Sequence, residues 1–258
     1  MNKIELLIFQ SHEVGAVAIG MDSMPCSLCR KVLETHPDAE LITADHFHGS
    51  NFAMCARKLY LQMIRGRESG LNRASFLTMG HYFEKEMLEN IKAGLPPSND
   101  YKIKILANTS EVIMDVLGFK LVTHRDAYLL DNKNNKVYIL ECKAIKNEYF
   151  IEMKKQQKSG MTYSEILRDE WIGQGQSYLF TDPDVSGLIY IIKNRETSEI
   201  LFPILIERDM KFIASRLNKL AEIHQRINLG SGQPDREEDN PKSFQCSFCS
   251  YAKECWSL

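Results

Sequence analysis

Residues 118–146 read GFKLVTHRDAYLLDNKNNKVYILECKAIK, and this stretch decides the fold. From Phe119 to Leu130 the residues alternate and are rich in β-formers, Asp131 to Lys136 is a polar turn, and Val137 to Ala144 resumes the strand. The pattern predicts a β-hairpin. Side chains on a strand point to alternate faces, so Glu141 and Lys143 share one face and Cys142 occupies the other. Pairing of the two strands brings Asp126 beside them. Two carboxylates and an ammonium on an otherwise apolar sheet are costly to bury without partners, which argues for a metal ion between the carboxylates. A solvated strand face carrying Asp, Glu and Lys is the ordinary alternative.

The chain around the hairpin favours the first reading. Ser50 to Arg65 has helical spacing in Phe52, Ala56, Leu59, Tyr60, Met63 and Ile64, and it carries Cys55. Phe76 to Ile91 forms a second amphipathic helix with His81, Glu84 and Lys85, ended by Leu95-Pro96-Pro97. Tyr101 to Leu106 and Glu111 to Leu117 read as strands leading into the hairpin. Beyond it, Tyr149 to Gln157 and Tyr163 to Phe180 read as helices, and Gln174 and Tyr178 stand four apart on one face of the second. Leu188 to Lys193 and Ile200 to Ile206 read as strands, Asp209 to Leu229 as a long helix, and Gly230 to Ser243 as a polar linker.

Asp126, then Glu141-Cys142-Lys143, then Gln174-Gly-Gln-Ser-Tyr178, with His81 upstream and Cys55…Cys246-x2-Cys249-x5-Cys255 around them, resemble the PD-(D/E)xK nuclease superfamily in its RecB-like branch. The cysteine set is similar to that of the iron-sulfur nucleases of this branch, the AddB nuclease domain and the CRISPR-associated adaptation nucleases. The resemblance covers about residues 50–258. It implies an α/β fold in which a central mixed β-sheet is flanked by helices, a restriction-endonuclease-like core. It also implies a divalent-metal-dependent DNA nuclease, an exonuclease on single-stranded or resected ends. Asp126, Glu141, His81 and the carbonyl of Cys142 are then the metal ligands, and magnesium or manganese is the metal that oxygen-rich ligation suits. Lys143 positions the attacking water and offsets phosphate charge, and Gln174 and Tyr178 orient substrate. The implied partners are DNA, chiefly single-stranded, and recombination, repair or CRISPR-adaptation proteins.

Seven cysteines, clustered in part as C-x2-C pairs, point to metal or cluster ligation rather than to a disulfide framework. On ligand chemistry alone Cys55, Cys246, Cys249 and Cys255 suit zinc as well as a [4Fe-4S] cluster, and the resemblance favours the cluster. Residues 1–45 read as a small N-terminal appendage, separate from the nuclease domain at 46–258. Its Cys26-x2-Cys29 pair, with His36, His46 or His48, has the ligand types of a zinc site, against reduced cysteines that simply pack. Pro25-Cys26-x2-Cys29 also matches half of the zinc-deaminase signature, but the required His-x-Glu is replaced by adjacent His12-Glu13.

Composition sets the remaining bounds. At 258 residues and 44% hydrophobic, the chain can bury a full core. No run approaches a membrane span and the first residues lack a signal-peptide pattern, so a soluble cytoplasmic protein is expected. With a net charge of −2 there is no global basic field, and contact with nucleic acid must rest on local features. A noncatalytic nucleic-acid-binding module of the same fold is the competing function.

Overall fold

The computed structural model describes residues 46–65, 71–95, 100–106, 111–247 and 249–257; the side chains of residues 71–81, 244 and 245 are outside the description. The 1–45 appendage, with Cys26, Cys29 and His36, lies outside the described residues.

Among the described residues eight strands form two mixed sheets. The smaller has the order β1 (His46–His48), β4 (Phe119–His124), β3 (Glu111–Val116), and the larger the order β2 (Tyr101–Ile105), β5 (Ala127–Asp131), β6 (Lys136–Ile145), β7 (Gly187–Asn194), β8 (Ile204–Ile206). Around them lie helices α1 (Ala56–Arg65), α2 (Leu71–Gly94), α3 (Asn147–Lys158), α4 (Tyr163–Ile166), α5 (Asp169–Thr181), α6 (Met210–Leu229), α7 (Phe244–Ser247) and α8 (Ala252–Trp256). This is the helix-flanked mixed α/β architecture expected of a restriction-endonuclease-like core.

The β5–β6 hairpin forms as its alternation dictates, with Asp131 paired to Lys136 across a turn in which Asn135 takes a positive φ of 52°. β6 then pairs in parallel with β7 after a crossover through α3, α4 and α5. A parallel pair is covered on both faces, which explains why all eight residues of β7 are buried. On one face Ile139, Ile145, Tyr190 and Ile192 pack with Phe150 of α3 and Tyr178 and Leu179 of α5. On the other, Leu140, Cys142, Ile189 and Ile191 pack with Met87, Leu88 and Ile91 of α2. Lys193, 1% exposed, is tied on that second face to Glu86 of α2 by an ion pair of 2.6 Å.

Four expectations from sequence are corrected in detail. The single strand from Phe119 to Leu130 breaks at Arg125-Asp126, and its halves join different sheets. Helix α1 begins at Ala56, because the preceding residues close a 3₁₀ turn at Gly49–Asn51 in which Asn51 Oδ1 accepts from the His48 amide at 2.7 Å. Cys55 therefore stands just ahead of the helix. The helix read over 163–180 divides at Leu167 and Arg168, both extended, where Leu167 turns into the core. The strand read over 200–206 is reduced to an Ile200 bridge and to β8, since Pro203 has no amide to donate. The long helix α6 follows its expectation closely: Asp209 caps it through the amides of Lys211 and Phe212, and Gly230 ends it at φ 62°.

Candidate active site

The break at Arg125-Asp126 places a carboxylate where the two sheets part. One step beyond the Ala127–Leu140 pair, the antiparallel register sets Asp126 opposite Glu141. The Cys142 amide donates to Asp126 Oδ2 at 3.0 Å, and Lys143 Nζ donates to Glu141 Oε1 at 2.5 Å. Glu141 is 2% exposed, and its second oxygen, Oε2, is buried with no hydrogen-bond partner. Cys142 points to the other side of β6 and is fully buried against the α2 cluster.

Charge in this site is poorly offset by the protein itself. Burial raises the Asp126 carboxyl well above its ordinary range, and the nearby Glu141 and Glu84 carboxylates raise it further. Burial likewise pushes up Glu141, against the pull of Lys143 and with the help of Glu84. Burial alone would lower Lys143, but Glu141, Glu84 and Asp126 outweigh it and hold the ammonium firmly protonated. A general-base role for Lys143, which needs a lowered pKa, therefore has no support in these surroundings.

Glu84 is the site residue that sequence reading passed over. It lies on α2 one helical turn after His81, within electrostatic reach of Asp126, Glu141, Cys142 and Lys143. The spacing to His81 was the available signal. The side chain of His81 itself is outside the description.

Helix α5 closes the site from the opposite side of the sheet to α2. Gln174 Nε2 donates to Tyr178 Oη at 2.5 Å, and the Tyr178 phenol, buried, is held neutral by burial and by the Glu141 and Asp126 charges. Tyr190, directly across from Glu141 in the β6–β7 register, is kept neutral by the same causes and donates to the Trp171 carbonyl. The close approach of α5 depends on a residue with no side chain. A Cβ on Gly173 would sit 2.4 Å from Ala53 Cβ. At its far end α5 is pinned to the Asp126 strand break: Arg125 Nη2 donates to Thr181 Oγ1 at 2.9 Å, and Asp182 receives Tyr128 Oη and lies 3.5 Å from Arg125 Nε.

These groups suit a divalent cation. Two facing carboxylates with raised pKa values and one orphaned buried oxygen are a donor set that lacks a cation beyond Lys143. Among the described residues no three His, Cys, Asp or Glu side chains meet as a ligand set; Asp126 and Glu141 are the two carboxylates that meet here.

The four cysteines of the second predicted site are free thiols, and among the described residues no three of them meet as a metal-ligand set. Cys249 and Cys255 pack in the cluster that also holds Met54 and Ala56, the neighbours of Cys55. The Cys249 amide donates to the Cys246 carbonyl at 3.1 Å, and Arg57 and Arg236 both reach the Cys255 carbonyl. The chain's end is thus fastened to the start of α1.

No family model matches the sequence, and no curated protein matches it. Among solved structures, the crystal structure of SSO0001 is similar at a TM-score of 0.51 and 15% identity, over 88% of this chain and 94% of that one. The two share a fold. Weaker likenesses are LHK-Exo in complex with dAMP, with a TM-score of 0.45 and 14% identity over 73% of this chain and 90% of that one, and an alkaline exonuclease (LHK-Exo) from Laribacter hongkongensis, with 0.36 and 14% over 72% and 92%.

Proposed function

We propose that the chain is a divalent-metal-dependent nuclease that hydrolyses DNA phosphodiester bonds, as an exonuclease on single-stranded or resected ends. The observation that carries the reading is the buried, unpartnered Oε2 of Glu141 facing Asp126 beside a protonated lysine. Asp126, Glu141 and the Cys142 carbonyl, with His81 from α2, would hold magnesium or manganese. Such an ion supplies charge neutralisation at the phosphate and a more acidic water. Lys143 donates its remaining N–H bonds to a phosphate oxygen or to the attacking water, and its charge offsets the negative charge gathered there. Gln174 and Tyr178, joined to each other, bound the site on the α5 side and orient the scissile phosphate. Cys55, Cys246, Cys249 and Cys255 would hold a structural [4Fe-4S] cluster, which ties the chain's end to α1.

The direct test is incubation of end-labelled single- and double-stranded DNA with the purified protein, with magnesium or manganese and with chelator. Cleavage that requires the cation supports the reading. Cation-independent cleavage, or none on any substrate, overturns it. A noncatalytic DNA-binding module is the second reading, and the intact Asp126, Glu141 and Lys143 disfavour it.

A further inference from the structure

The ring of Tyr190, beside Glu141 in the sheet register, begins a series of stacked groups that leads out to the surface. Tyr190 stacks on Trp171 with centroids 6.3 Å apart and planes 25° from parallel. The Arg168 guanidinium lies over the Trp171 ring at 5.3 Å from its centroid and over the Tyr149 ring at 4.6 Å. Tyr149, in the first turn of α3, is 44% exposed, while its neighbour Phe150 takes the buried position. The series therefore begins at the catalytic carboxylates and ends on an open aromatic ring held flat by a cation.

Core packing accounts for Tyr190 and Trp171, but it does not require an exposed tyrosine against an exposed arginine. We propose that Tyr149, backed by Arg168 and Trp171, is a stacking site for an unpaired nucleobase of the strand that the active site cleaves. The identity of the ligand rests on the nuclease reading above. The local charge favours a base over a phosphate: Glu148, Asp169 and Glu170 flank Tyr149 and Arg168, and they disfavour an anion there. A base needs only a π-face, which every nucleotide of a single strand offers. Distance is suitable too. Arg168 immediately precedes α5 and Gln174 is the sixth residue of that helix, about 9 Å away at the helical rise, so the ring would hold a nucleotide close to the scissile one.

The test is the affinity of a labelled single-stranded oligonucleotide for the full protein without divalent cation, alongside cleavage by the wild type with it. Tyr149→Ala is expected to weaken binding about tenfold, Tyr149→Phe to restore it, and Tyr149→Leu to leave it weak. An abasic oligonucleotide should bind wild type and Tyr149→Ala equally, and the salt dependence of binding should be the same in both, because no phosphate contact is lost. Wild-type affinity in Tyr149→Ala, or an equal loss on the abasic strand, would overturn the stacking site and leave cation-dependent cleavage untouched. A wild type that binds with this base-dependent Tyr149 effect but never cleaves would remove the nuclease reading and uphold the stacking site.

Discussion

The Cys142 amide donates to Asp126 Oδ2 at 3.0 Å, which fixes the carboxylate at the start of one strand against the backbone of its neighbour. This bond spends one side of Asp126 on the sheet and leaves the rest of the carboxyl toward Glu141. It also makes the site a product of strand register rather than of loop conformation, the kind of rigid element on which a catalytic constellation is held best.

Glu84 is expected to matter although it touches neither strand in sequence. Glu84→Gln should lower manganese affinity and cleavage rate together by about 10–100-fold, as loss of a supporting group at a metal site does. The exposed neighbour Lys85, changed to Ala, is the control. Equal rates in the two variants would place Glu84 outside the site.

Gly173 lets α5 approach, and its replacement should separate packing from chemistry. In Gly173→Ala the new Cβ meets Ala53 Cβ at 2.4 Å and the Ala53 amide nitrogen at 2.8 Å. Overpacking of this kind costs about 1–3 kcal/mol. Urea unfolding should show that loss, and cleavage should slow further because Gln174 and Tyr178 ride on the displaced helix. Unchanged stability would contradict the close contact.

Metal affinity should depend on pH in a definite direction. The raised Asp126 and Glu141 carboxyls keep protons in the metal-free folded protein that the unfolded chain has released. The stabilisation from those protons is complete below the ordinary values of 3.8 and 4.5, and it is lost as pH rises through the raised folded values. A cation must displace the same protons, so its affinity should fall as pH drops from neutral into the acid range. Calorimetric titration with manganese at several pH values checks this, and a flat profile would contradict it.

The cysteine corner has its own readout. Protein purified anaerobically should be brown, with roughly four irons per chain, and Cys55→Ser should lose iron and loosen the C-terminal segment. Stoichiometric zinc with negligible iron would replace the cluster by a four-cysteine zinc site. Full iron retention in Cys55→Ser would show that the distant fourth ligand was chosen wrongly.

The sequence showed the β5–β6 hairpin and the shared face of Glu141 and Lys143 because strand alternation is a local signal. It also showed the Gln174–Tyr178 face, which four-residue spacing defines. It did not show that Phe119 to Asp131 parts into two sheets, since alternation carries straight through Arg125-Asp126 and the break shows in the different partners of the two halves. Nor did it single out Glu84 or Tyr190. Both come to the carboxylates by tertiary packing, one from α2, where the one-turn spacing from His81 is the local hint, and the other from a strand some fifty residues after Glu141 in the chain, which leaves no mark in its own neighbourhood.

The most direct test compares wild type with Asp126→Ala on one labelled single strand, measuring DNA binding without cation and strand cleavage with magnesium or manganese. The expected result is cation-dependent cleavage by the wild type, and cleavage abolished in the variant with DNA binding retained and the fold intact by circular dichroism. Undiminished cleavage by Asp126→Ala would contradict the account.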